Sequence, residues 1–163
     1  SMGNTDPYIT VSQELSYIRD YIQIQKARFR DKIQANIAVE PALMPVMIPK
    51  LILQPIVENA LLHGIMMKEE KKGTILLTGW KEGNDIVFII SDDGAGIPPE
   101  KLDSLLDEHT QAVVGSSSRH IGVSNTNLRL KNLYGSKYGL SFTSVPGHGT
   151  EVTLRIPALE DEF

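Results

Sequence analysis

A glutamate and an asparagine stand side by side in an otherwise apolar run, at Glu58 and Asn59 of Gln54-Pro55-Ile56-Val57-Glu58-Asn59-Ala60-Leu61-Leu62-His63-Gly64. Burying such groups costs free energy unless they find partners. An amide oxygen and a carboxylate aimed into a cleft are oxygen ligands of the kind Mg2+ takes alongside substrate phosphates. Asn59 and His63 are four residues apart and on a helix share a face. The plain alternative is that these groups cap or bond locally.

A second candidate, Asp92-Asp93-Gly94-Ala95-Gly96-Ile97, follows directly on a strand-like run. Glycines there allow close backbone approach and positive φ. A carboxylate at a strand end can accept a hydrogen bond from an exocyclic amine, and adenine carries one. Asp and Gly also dominate ordinary turns, and no G-x-G-x-x-G opens a helix here, so this is no Rossmann fingerprint. The third candidate is His120-Ile121-Gly122-Val123-Ser124-Asn125-Thr126-Asn127-Leu128-Arg129-Leu130. A glycine opening a helix leaves amide N–H groups aimed outward, where they can hold phosphate; an ordinary loop and helix start reads the same way. The polar stretch 111–119 before it suits a lid. The fourth, Gly147-His148-Gly149-Thr150, is by itself a hairpin turn, with a Thr150 hydroxyl able to help fix a base or a water.

The elements that must position these groups follow from hydrophobic periodicity. Leu15, Ile18, Ile22, Gln25 and Phe29 form one stripe of a helix over 12–30, with Ser12 as N-cap and Glu14 in the first turn. That helix either packs on its own domain or links to a neighbour. Residues 32–40 alternate as a strand, and Pro41, Pro45 and Pro49 punctuate a loop. A helix is expected over 49–63, with Pro49 in its first position, Pro55 bending it or marking its effective start, and Gly64 as its C′ stop. Strands at 74–81 and 85–91 read as a hairpin, as do 140–145 and 150–156; a helix at 123–135 ends before Gly135. This order suggests an α/β (α+β) fold with helices layered on one face of a mixed sheet.

Composition narrows the function class. Hydrophobic residues make up 41% of the 163, enough for one cored domain plus a short attachment. No cysteine is present, which excludes disulfides and cysteine-based metal sites and fits a reducing compartment. A net charge of −4 speaks against a general nucleic-acid binder. No apolar run has membrane-spanning length, and Ser1-Met2-Gly3 reads as a tag remnant rather than a signal peptide.

Taken in order, the asparagine helix, D-x-G-x-G, the glycine-opened helix and G-x-G-T resemble the N, G1, G2 and G3 boxes of the GHKL superfamily, which includes histidine kinases, gyrase and MutL. The wording QPIVENALLHG, with GVSNTNLRLKNLYG downstream, is most similar to the LytS/YesM-type sensor histidine kinases, and the likeness runs from about residue 12 to residue 157. The resemblance implies a Bergerat-type two-layer sandwich binding ATP with Mg2+. Asn59 would coordinate the metal and, with Glu58, form the catalytic pair. Asp92 would accept from the adenine amine, supported by Gly94, Gly96, Ile97 and Thr150. His63, Gly122, Val123, Asn125 and Arg129 would complete the nucleotide site.

By the same resemblance, 1–10 is tag and lead-in, 11–31 a linker helix to a missing phosphoacceptor domain, 32–158 the ATP-binding catalytic domain and 159–163 an acidic tail. The γ-phosphoryl group would pass to a histidine on that upstream helical domain and then to a response regulator. The parent would be a homodimeric inner-membrane sensor and this its cytoplasmic portion, with no nucleic-acid partner and no direct membrane contact. None of His63, His109, His120 and His148 has the N-P-H-F context of the acceptor, so the chain alone is expected to bind ATP without phosphorylating itself. Four positions depart from the family pattern: Pro55 replaces the base of gyrase-like hydrolases, Leu62 a phosphate-contacting lysine, His120 a glycine and Asn127 an arginine. A degenerate nucleotide-binding interaction module and an ATP-driven conformational ATPase are the alternative readings.

Overall fold

The computed structural model describes residues 6–105 and 121–159. Its centre is a five-stranded sheet built from β2 (Ile33–Val39), β4 (Gly73–Glu82), β5 (Asp85–Asp92), β6 (Gly139–Val145) and β7 (Gly149–Pro157), in the order β2-β4-β5-β7-β6. The β2–β4 pair is parallel and the rest antiparallel. Burial alternates along β4 and β7, as expected of strands with one face on the core: Ile75 and Leu77 of β4 and Val152, Leu154 and Ile156 of β7 face the core, while Leu76 is 39% exposed. A two-stranded antiparallel sheet of β1 (Tyr8–Thr10) and β3 (Met47–Pro49) lies outside it.

One face of the large sheet carries the helices α1 (Val11–Arg28), α2 (Gln54–Asn59) and α4 (Ile121–Tyr134); the short α3 (Pro99–Leu102) follows β5. Leu15, Ile18 and Ile22 of α1, Ile56, Val57 and Leu61 of the α2 region, and Val123 and Leu130 of α4 join the inward strand residues in one core. The expected two-layer mixed-sheet sandwich is the observed architecture.

Local chemistry moves several boundaries. The cap of α1 is Thr10, not Ser12: Thr10 Oγ1 accepts from Gln13 N–H at 3.1 Å while Gln13 Oε1 accepts from Thr10 N–H at 2.9 Å, a reciprocal capping box. Pro49 does not open a helix. It ends β3, at an edge where its missing N–H costs nothing, and α2 begins at Gln54 with Pro55 in its first turn. Gly64 is not a left-handed stop either, since its φ is −102° and the chain continues through a 3-10 turn, Ile65–Met67. Gly135, at φ +106°, does end α4 as expected, its N–H bonding Lys131 O at 2.8 Å.

Candidate functional site

After Asn59 the helical chain widens into a π turn, Ala60–Gly64. Such turns, closed by i→i+5 hydrogen bonds, recur at functional sites. Asn59 is 8% exposed. Gly64 meets the loop after β5 at backbone distance: a Cβ on Gly64 would lie 2.6 Å from Asp92 Oδ1, and one on Gly94 would lie 2.1 Å from the Gly64 carbonyl carbon. Ala95 N–H donates to Gly64 O at 3.0 Å, locking the two segments together.

Asp92 closes β5 opposite Thr150 of β7. Its Oδ1 accepts from Gly94 N–H at 2.8 Å, and the backbone N–H of Thr150 also favours its ionised form. Burial foremost, then the neighbouring Asp93 charge, push the Asp92 pKa up to about 6 against the opposing pull of those two N–H groups. A carboxylate has roughly four acceptor positions, so capacity for an outside donor remains. On the far side of the loop, Gly96 (φ +76°) faces Val145 O, Gly147 N–H donates to Ala95 O at 2.7 Å, and Ile97 N–H donates to Ser144 Oγ at 2.8 Å. Ser144 Oγ also lies 2.8 Å from Thr150 Oγ1 and donates to Gly149 O at 2.9 Å. The loop Asp92–Ile97 is thus gripped between Gly64 and the β6–β7 turn, with a half-buried carboxylate at its root.

α4 begins beside α2: the nearest atom to a Cβ built on Gly122 is Pro55 Cβ, at 3.5 Å. Its first amides lack intrahelical partners, as at any helix start. Val123 is 1% exposed and packs into the core, whereas Asn125 is exposed. Arg129 Nη1 donates to Lys50 O at 2.6 Å. Glu58 accepts from Gln54 Nε2 at 3.1 Å, and its charge, after burial itself, helps push the Tyr21 hydroxyl of α1 up to about 12. His63 is half-buried at the end of the π turn. The expected lid at 111–119, together with Arg119 and His120, lies outside the described residues.

The structure therefore brings Gly64, Asp92, Gly94, Gly96 and Thr150 into one packed unit and sets Gly122 against the first turn of α2. It directs Glu58 toward Gln54 and Tyr21, and ties Arg129 to a backbone carbonyl. Ser144 is no candidate in the sequence, and Asn127 and Glu14 serve partners that the sequence does not indicate. Ser144 bridges the loop and the Thr150 hydroxyl. Asn127, 5% exposed, accepts from Leu140 N–H through Oδ1 at 2.8 Å, fixing β6 on α4. Glu14, fully buried, accepts three backbone N–H groups just ahead of and within α2. Only the alternating polarity of β6 offered any signal for Ser144.

Comparison with known proteins follows the same line. A family model described as histidine kinase-, DNA gyrase B-, and HSP90-like ATPase matches residues 47–160. Sensor histidine kinase BtsS of Escherichia coli (strain K12) is 32% identical over 150 residues, 92% of this chain. Sensor histidine kinase/phosphatase LytS of Staphylococcus aureus (strain Mu50) is 30% identical over 142 residues, 87% of this chain. The chain spans 24% of the length of each of these two relatives. Among solved structures, the catalytic domain of histidine kinase ThkA superposes with a TM-score of 0.68 at 12% identity, covering 93% of this chain and 94% of that one. Full-length ShkA in complex with AMPPNP gives 0.67 at 18% identity, covering 94% of this chain and 32% of that one. At those identities the two superpositions speak for the fold.

Proposed function

The chain belongs to the histidine kinase-, DNA gyrase B- and HSP90-like ATPase family, and on that premise we propose that it is the ATP-binding catalytic module of a two-component sensor histidine kinase. The observation that carries this reading is Asp92: a carboxylate at a strand end, largely withdrawn from water, on a loop held rigid between Gly64 and the Gly149-Thr150 turn. Ionised, it accepts the exocyclic amine of adenine. Gly94, Gly96 and Ile97 hold the loop's path, and Thr150 with Ser144 offers hydroxyls beside the base. Gly122 and Val123 present amides to the phosphates, with Asn125 and Arg129 on the same helix and His63 flanking α2.

Asn59 fits Mg2+ chemically. Such an ion needs only one or two protein oxygens alongside substrate phosphates, so the amide oxygen of Asn59, 8% exposed on α2, would serve as its protein ligand. When bound, Mg2+ neutralises charge developing on the phosphates. The chain's own contribution is positioning, with Glu58 held by Gln54 beside the metal asparagine as the further candidate catalytic group. Pro55, packed by Gly122, supplies no general base toward water, which favours phosphoryl transfer over hydrolysis. The acceptor is a histidine on an upstream helical domain, within a homodimeric parent that passes the group to a response regulator. The parent is a membrane sensor with this module on the cytoplasmic side; no described helix here is long and apolar enough to cross a membrane.

Titration with a fluorescent ATP analogue tests the reading. Binding is expected to strengthen with Mg2+ and to weaken by about tenfold or more in Asn59→Asp, which sets a negative charge beside the phosphates, and in Asp92→Asn, which removes the charged acceptor for the adenine amine. Absence of binding at millimolar nucleotide would falsify it. Adding the parent's upstream helical region with radiolabelled ATP should label that region and not this chain, whereas steady-state hydrolysis by the chain alone would favour the ATPase alternative.

A further inference from the structure

The peptide unit joining Lys50 to Leu51 is gripped at both ends by buried or half-buried ionic groups from two different helices. Its N–H donates to Glu14 Oε1 of α1 at 2.8 Å, and its C=O accepts from Arg129 Nη1 of α4 at 2.6 Å. The other Glu14 oxygen accepts from Leu53 N–H at 2.9 Å and Gln54 N–H at 3.3 Å, the N-cap and first residue of α2. Glu14 has no exposed surface, and a carboxylate so placed is tolerable only because these N–H groups solvate it. Leu51 meanwhile sits at φ +61°, a left-handed conformation that an L side chain adopts only when its surroundings impose it.

We propose that Glu14 and Arg129 are positioning residues for the phosphate end of the nucleotide site, acting as a clamp through the Lys50–Leu51 peptide. The carboxylate polarises the N–H and the guanidinium polarises the carbonyl of the same amide, so each strengthens the other's bond. The clamp fixes where α2 starts relative to α1 and α4. Asn59 lies one helical stretch beyond that start, and Gly122 of α4 packs on Pro55 within its first turn. The consequence for nucleotide rests on the ATP reading above; the clamp itself does not.

The test uses the full chain as wild type, Glu14→Gln, Arg129→Gln and the double variant. Glutamine at 14 keeps the shape but turns one acceptor oxygen into a donor facing N–H groups. In the nucleotide-free protein, amide hydrogen exchange is expected to quicken at 51–57 and in the first turn of α4, with β4 and β5 unchanged. With Mg2+ and the ATP analogue, each single variant should lose about tenfold in affinity. The double variant should lose little more, and adenosine, which stops short of the phosphate end, should weaken far less.

Unchanged exchange at 51–57, or faster exchange throughout the sheet, overturns the clamp. So do additive losses, or a loss confined to Arg129→Gln, which would make Arg129 a direct phosphate contact. If the wild type binds no nucleotide, the exchange measurement still decides the clamp and the functional reading alone fails. If Glu14→Gln does not fold, Arg129→Gln carries the exchange test by itself, and unaltered protection at 51–57 overturns the proposal.

Discussion

Asp92 carries opposite consequences for binding and for stability. Burial first, then Asp93, lift its pKa from 3.8 to about 6. Ionised, it presents only acceptors; protonated, one oxygen becomes a donor and competes with the amine it should receive. Adenosine affinity, measured with a ligand that has no phosphate to titrate, should therefore fall as pH drops from 8 to 5, with its inflection near 6, and Asp92→Asn should abolish the dependence. Flat affinity across that range would remove Asp92 from adenine recognition. The stability sign runs the other way. A carboxyl whose folded pKa is raised contributes stability in full below its unfolded pKa and loses it as pH rises through about 6. At neutral pH the ionised group costs on the order of 3 kcal/mol, at 1.36 kcal/mol per pKa unit. Urea melts should show the stability of wild type relative to Asp92→Asn improving as pH falls from 7.5 to 5.

At the scale of elements, the end of the π turn and the loop after β5 touch backbone to backbone, and glycine is the reason they can. A Cβ on Gly94 would fall 2.1 Å from a Gly64 backbone carbon, whereas one on Gly64 meets first the Asp92 side chain at 2.6 Å. Gly94→Ala must therefore move main chain, and is expected to cost roughly 3 kcal/mol or more, at or above the upper end for overpacking. Gly64→Ala should cost less stability but disturb adenosine binding through Asp92. Gly83→Ala, in open space at φ +61°, should cost only about 1 kcal/mol for backbone strain. Equal losses at Gly83 and Gly94 in urea melts would contradict this packing. The strands, the Asp92 loop and the end of α4 were legible because period-two alternation and turn glycines are local signals. Gly64 was not: its reason is a loop nearly thirty residues downstream (Asp92 and Gly94), so it read as a helix stop. Asn127 read as a lost arginine, although its oxygen serves Leu140 N–H across the α4–β6 junction. Glu14 read as a first-turn acid, although its partners lie in the 51–54 turn. Side chains that serve distant backbone leave no periodic trace.

At the scale of the whole molecule, the boundary of the folding unit lies ahead of α1. The family match begins at residue 47, yet Leu15, Ile18 and Ile22 are core residues continuous with α2 and the sheet. Burying each is worth roughly 1.5–3 kcal/mol, so the three together supply about 5–9 kcal/mol, comparable with the roughly 5–15 kcal/mol by which a whole domain is stable. Removing α1 also strips the α2 start of the Glu14 carboxylate. A chain beginning at residue 32 should then lose its sharp thermal transition and near-ultraviolet circular dichroism while keeping sheet signal in the far ultraviolet, the signature of collapse without fixed packing. A cooperative melt and wild-type nucleotide affinity in that truncation would show α1 to be a passive connector. If α1 is needed, a displacement of this helix by an upstream domain cannot leave the nucleotide end unaltered. Its inner face is the core and its carboxylate holds the start of α2, while Tyr17 and Ile24, 49% and 65% exposed, mark the outer face from which it could be moved.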